Sequence, residues 1–173
     1  MKNLNPEFIK SLSEKVNNSP FYELTSIKLR EIAWGECIME VIVRHKHLQP
    51  YSMVNGGVFA SLVDAAAYWA VFTQIDDEAK MITVEIKVNY LAPASTGRLI
   101  AKGKSIKVGR TLCLGEAAIE NGEGKILAHG TATMMVLPDL EIEGDFDLPP
   151  KGERGQGSTW DKCDIHRISA NMS

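Results

Sequence analysis

At 173 residues the chain is long enough for one domain whose core needs neither disulfides nor a metal. Its hydrophobic fraction of 45% and charged fraction of 24% are those of a soluble globular protein. A net charge of -3 argues against general affinity for nucleic acid or an anionic membrane, although a local basic patch could still bind a phosphorylated small molecule.

The opening residues, Met1 to Pro6, lack an apolar run followed by a cleavage site, so no signal peptide is expected. Asn5 can cap a helix with Pro6 at its first position. Phe8, Ile9, Leu12 and Val16 carry its helical spacing, and Asn17-Asn18-Ser19-Pro20 ends it. Phe21 and Tyr22 are expected to pack on the body. Ile27–Trp34 and Glu36–Val43 read as strands of a hairpin about Gly35. The loop from His45 to Ser52 follows. Its His45 and His47, beside Arg44 and Lys46, are expected to form a solvated rim; the alternative is a contact to ligand phosphates.

A long helix is expected from about Gly56 to Gln74, closed by Asp76-Asp77-Glu78. Apolar residues occupy nearly every face of it, so it should be covered all round. Asp64 is the one charge in that stretch. Its presence makes a lone membrane span unfavourable. A carboxylate there must be compensated or protonated, so Asp64 is either a hydrogen-bonded structural group or a working acid.

Met81–Leu91 alternates, with Ile82, Val84, Ile86, Val88 and Tyr90 on the face expected to be buried. Pro93 and Gly97 form a break. Arg98–Val108 and Thr111–Glu120 are strands around Gly109-Arg110, and Asn121-Gly122 signals a hairpin into Lys125–Leu137. The tight turns favour antiparallel pairing. One buried helix with one sheet gives an α+β fold with the sheet wrapped around the helix. The domain is expected to span 1–137, with its core in 21–137. The tail 138–173 is acidic and then rich in Pro and Gly, and is expected to be mobile. Docking through Phe146, Trp160 and Ile165 is the alternative.

The cysteines Cys37, Cys113 and Cys163 are odd in number and widely spaced, which fits a reducing, cytoplasmic compartment. Cys37 and Cys113 read as buried structural thiols. Cys163 and His166 have the spacing of half a zinc site, but no second pair completes it, and no metal is expected. His129 is expected to be a hydrogen-bonded structural residue.

Gly56 and Gly57 stand where the loop becomes the long helix. Glycine permits unusual backbone angles and close approach of a ligand. Unpaired N–H groups at a helix start can stabilise an oxyanion formed in acyl transfer. Asp64 lies on the order of 10 Å farther along the axis, so a bend or another subunit must bring the groups together.

The string Asn55-Gly56-Gly57, Leu62 and Asp64, followed by Thr83-Val-Glu-Ile-Lys-Val-Asn-Tyr-Leu-Ala-Pro93, resembles the hotdog-fold acyl-CoA thioesterases of the phenylacetate-degradation type. The resemblance covers roughly Phe21 to Leu137. It implies a central helix wrapped by an antiparallel sheet, and homodimers that join into homotetramers with active sites between subunits. It also implies roles. Gly57 offers an oxyanion-hole N–H, with Gly56 beside it in the turn. Asp64 acts as general base on water or as nucleophile. Thr83 helps position the water, and Gln49 lies near the thioester. Arg110, in the turn with Val108 and Gly109, contacts coenzyme A. Many members have His where this chain has Asn55, and an amide cannot carry a proton near neutral pH.

The expected activity is acyl-CoA hydrolysis to free acid and coenzyme A, without metal or redox cofactor. The alternative is a noncatalytic acyl-CoA-binding or sensing module on the same fold. A purely structural oligomer is disfavoured by Asp64, and the hydratase branch by the absence of an Asp and His pair in the expected setting.

Overall fold

A computed structural model describes residues 3–137 and 146–152. The elements are α1 (Pro6–Asn17), α2 (Pro20–Thr25), β1 (Lys28–Ala33), β2 (Glu36–Ile42), a 3-10 turn at His45–His47, α3 (Gly56–Phe72), β3 (Lys80–Tyr90), β4 (Arg98–Lys107), β5 (Leu112–Asn121) and β6 (Ile126–Leu137). The Asn5 side chain accepts the Glu7 N–H at 2.9 Å and so caps α1, which buries Phe8, Leu12 and Val16. Helix α2 was not expected. Its six residues are too few to show a period.

The strands form one antiparallel six-stranded sheet in the order β1-β2-β4-β5-β6-β3, and α3 contacts all of them. This close embrace depends on small residues. Ala65, Ala66, Ala67 and Ala70 on α3 are buried against strands bearing Ala101, Ala117, Ala128 and Ala132. A Cβ on Gly103 would stand 2.1 Å from the Ala66 carbonyl oxygen, and one on Gly115 2.9 Å from that of Ala67. Glycine in these strands lets the helix backbone approach the sheet directly.

Helix α3 is not covered all round. Gly57, Ala60, Ser61, Asp64 and Tyr68 recur at three- and four-residue steps and stay wholly or partly open. The stripe is made of small and polar residues, whereas the bulky apolar ones face the sheet. Strand β3 also departs from expectation. Among the described residues it is an edge strand paired only with β6, and Ile82, Val84, Ile86 and Tyr90 are 41–57% exposed. A bulge between Thr83 and Glu85 shifts the alternation. Met81 and Thr83 therefore stand opposite Val136 and Met134, while Ile86 and Tyr90 stand opposite Ala132 and Ala128.

The Asn121 turn is longer than a two-residue hairpin. The Asn121 side chain accepts the N–H groups of Glu123 and Lys125, and Gly124 supplies the left-handed residue at φ +83°. Within the tail, residues 146–152 pack against the body. Phe146 packs on Trp69 and Phe72 with centroids 6.2 and 6.4 Å away. Lys151 is 4% exposed; its Nζ donates to the Ile75 and Asp76 carbonyls at 2.8 and 3.1 Å and lies 4.5 Å over the Phe72 ring. Trp160, Cys163, Ile165 and His166 lie outside the described residues. Among the described residues no helix is long and apolar enough to cross a membrane.

Candidate active site

Asn55 is the N-cap of α3. Its side-chain oxygen accepts the Gly57 N–H at 2.7 Å, and its carbonyl accepts the Val58 N–H at 3.0 Å. The N–H that the resemblance assigns to an oxyanion is therefore held by the cap in the single subunit. Neither glycine adopts a positive φ, so the pair does not serve backbone freedom. At Gly56 the reason is close approach: a Cβ there would lie 3.2–3.4 Å from the Tyr90 phenol, whose hydroxyl donates to the Gly56 carbonyl at 3.2 Å.

The preceding loop is tied down at each step. The Gln49 N–H donates to the Met53 carbonyl at 2.7 Å, and the Gln49 side-chain oxygen accepts the Tyr51 N–H at 3.1 Å. The Asn55 N–H donates to the His47 carbonyl at 2.9 Å. His47 does not belong to a solvated rim, although His45 is exposed. His47 is 3% exposed; Nδ1 accepts the Arg44 N–H at 3.0 Å and Nε2 donates to the Thr25 carbonyl at 2.8 Å. The acceptor role of Nδ1 fixes the neutral tautomer. His47 thus fastens the glycine-bearing loop to the end of α2.

Asp64 sits on the open stripe of α3. The Thr83 hydroxyl on β3 donates to its Oδ1 at 2.7 Å. Burial pushes the Asp64 pKa up, and the Thr83 hydrogen bond opposes that rise. One turn farther on, the Tyr68 hydroxyl donates to the Met81 carbonyl at 2.9 Å. Trp69 Nε1 donates to the Tyr22 hydroxyl at 3.1 Å, which brings α2 against α3. Burial pushes the Tyr22 phenol up to about 12; the Trp69 hydrogen bond opposes this and the Asp64 charge adds to it. Tyr68 is raised too, by burial first and then by Tyr22 and Asp64. Both phenols therefore stay neutral beside a carboxylate at ordinary pH.

The structure brings Asp64 to Thr83, and gathers Gln49, Asn55, Gly56 and Gly57 at the start of α3. It does not join these two groups within one subunit. Val108, Gly109 and exposed Arg110 turn at the opposite end of the helix, since β3 reaches Gly56 through Tyr90 whereas β4 meets Gln74 through Ser105. Gly109 is required by that turn, where a Cβ would stand 2.5 Å from the Leu112 carbonyl oxygen. Cys37 and Cys113 are buried, and burial raises both thiols, as suits structural residues. His129 faces Glu116 across the sheet at 3.4 Å. Among the described residues no cluster of three or more His, Cys, Asp or Glu could hold a metal. Tyr22 and Tyr68 were missed as site residues. The apolar setting of Tyr68, one turn from Asp64, was the available signal; nothing local marked Tyr22.

Residues 51–128 match the thioesterase superfamily, and the architecture is the hotdog fold. A solved thioesterase from Haemophilus influenzae superposes with a TM-score of 0.73 at 20% identity, covering 82% of this chain and 98% of its own. In sequence, the chain is 29% identical over 112 residues to human acyl-coenzyme A thioesterase 13, covering 64% of this chain and 79% of the human protein. It is 25% identical over 114 residues to the 1,4-dihydroxy-2-naphthoyl-CoA hydrolase of Listeria monocytogenes, covering 66% of this chain and 93% of that enzyme. The chain thus has the hotdog fold, and residues 51–128 are similar to the thioesterase superfamily.

Proposed function

We propose that this protein hydrolyses an acyl-CoA thioester to the free acid and coenzyme A, with Asp64 as general base. One observation carries the reading: a half-buried carboxylate with raised pKa lies on the open stripe of α3, oriented by a single hydroxyl. Thr83 engages Oδ1 and leaves Oδ2 for a water. Asp64 takes a proton from that water as its oxygen attacks the thioester carbonyl. The C–S bond of the tetrahedral intermediate then breaks, and the coenzyme A sulfur leaves as thiolate or takes up the proton. The two names nearest in chemistry among the relatives, an acyl-coenzyme A thioesterase and a naphthoyl-CoA hydrolase, support the thioester class.

The oxyanion needs N–H donors, and the start of α3 supplies them at Gly56 and Gly57. Because Asn55 holds the Gly57 N–H, the oxyanion either displaces the amide oxygen or shares the donor with it. In this reading the donors come from a second subunit. The exposed apolar edge of β3, with Ile82, Val84, Ile86 and Tyr90, supports pairing with another copy to form a homodimer, from which a homotetramer can be built. Gln49 lies near the thioester, and Arg110, in the turn with Val108 and Gly109, reaches coenzyme A from a neighbouring subunit. The reaction as written uses no metal or redox cofactor.

A panel of acyl-CoA substrates, run beside an acyl-CoA binding assay, tests this. The parent should hydrolyse at least one member. Asp64→Ala should lose ~10²-fold or more in turnover while remaining folded. An equally active Asp64→Ala variant removes Asp64 from the mechanism. A parent that binds acyl-CoA and hydrolyses none of the panel is a binding module.

A further inference from the structure

We propose that the strap formed by residues 146–152 sets the depth of the acyl pocket, and that Phe146 and Lys151 are positioning residues for acyl-length selectivity. This rests on the acyl-CoA reading above.

The open stripe of α3 runs from Gly57 through Asp64 and ends at Tyr68. A group extending from a thioester at Asp64 toward the helix C-terminus meets Tyr68 first. Tyr68 does not stand alone. Its ring packs edge-on to Trp69 at 4.9 Å and stacks on Phe72 at 6.1 Å, and its hydroxyl is fixed to the Met81 carbonyl. Trp69 is fixed on another side by the Tyr22 hydroxyl. These aromatic residues close the end of the stripe.

The strap presses on that wall from behind. Phe146 touches Trp69 and Phe72, the residues that support Tyr68. Lys151 fastens the strap by donating to the last carbonyls after α3, where the helix end is partially negative. The Lys151 carbonyl accepts the Asn5 N–H at 2.8 Å, and Asp77 accepts the Lys151 N–H at 3.3 Å. The strap is therefore anchored at Lys151 and inserts Phe146 behind the wall. A half-open cleft of about 260 Å³, lined by Phe8, Phe72, Phe146 and Leu148 together with Glu78 and Lys80, lies against the strap and includes none of Asp64, Tyr68 and Trp69. Loss of the Phe146 ring vacates the space it fills against Trp69 and Phe72 and so gives those rings, and Tyr68 stacked on Phe72, room to yield. The strap lies outside residues 51–128, the segment that matches the superfamily.

The test measures kcat/KM and acyl-CoA affinity along a straight-chain acyl-CoA series for the full-length parent, Phe146→Ala and Lys151→Met. The parent should show a length cut-off. Both variants should move it to longer chains, with about tenfold or greater gain on the first excluded length, as expected when a pocket gains room for a methylene. Their kcat on the shortest substrate should stay within about twofold of the parent, which a general loss of folding would not allow. An unchanged cut-off, or an equal loss at every length, overturns the strap's role and leaves the thioesterase reading standing. An inactive parent whose binding shows the same strap-dependent cut-off removes the enzyme reading and supports the strap's role. A parent that neither binds nor hydrolyses overturns both.

Discussion

Asp64 is balanced between burial, which raises its pKa, and the Thr83 hydroxyl, which lowers it. A general base works in its ionised form, so activity should rise with pH through the Asp64 pKa, which burial raises from its ordinary value. Thr83→Val removes the stabilising donor and should raise that pKa further. The acid limb of the kcat/KM profile should then move to higher pH, while Thr83→Ser keeps it near the parent. A profile whose acid limb stays fixed in Thr83→Val would show that another group titrates. Asn55 bears a different load. As the cap of α3 it should cost about 0.5–2 kcal/mol of stability when replaced by Ala, readable by denaturant titration. Because the same change frees the Gly57 N–H, Asn55→Ala should impair turnover less than Asp64→Ala. Equal inactivity with acyl-CoA binding retained would give Asn55 a direct catalytic part. Asp64 was legible in the sequence because a lone charge in an apolar helix has few explanations. Asn55 stands just before the glycine turn, where an amide can hold the turn or touch a thioester; only the folded chain shows that it caps α3 through the Gly57 N–H. Tyr22 was illegible because its partner Trp69 is distant in sequence.

At the scale of elements, α3 and the strands that embrace it depend on backbone closeness. Gly103→Ala places a methyl 2.1 Å from the Ala66 carbonyl oxygen, a contact that only a backbone shift can relieve. The expected cost is about 1–3 kcal/mol by overpacking, measured as a lower denaturation midpoint. A variant as stable as the parent would mean that the helix can move off the sheet freely. Helix and strand positions followed well from periodicity: α1, α3 and all six strands stand close to where spacing puts them. The faces followed less well. Alternation in β3 marks which residues share a side, but not that the strand lies at an edge or that a bulge inverts its parity at Val84. Likewise, Ala-rich composition marks α3 as buried without showing the stripe that stays open. The strap had no period to read; Lys151 is held by carbonyls that only the folded chain presents.

For the whole molecule, the central proposal is a site shared between copies. In one subunit Asp64 and the glycine turn occupy different turns of α3, and Arg110 lies beyond its far end. The sequence already posed this separation, because helix rise alone sets it. It could not identify the surface proposed to join the copies, since the apolar face of β3 reads equally as core. Subunit complementation tests the proposal most directly. Asp64→Ala and Gly57→Val chains, each inactive alone, are mixed under conditions where subunit exchange is verified. In a mixed dimer one site carries both changes and the other carries neither. Random exchange should therefore restore about a quarter of the parental acyl-CoA hydrolysis rate, as twofold symmetry requires. A mixture that exchanges fully yet remains as inactive as its components would contradict a site in which Asp64 of one subunit acts on a thioester held at the glycine turn of another.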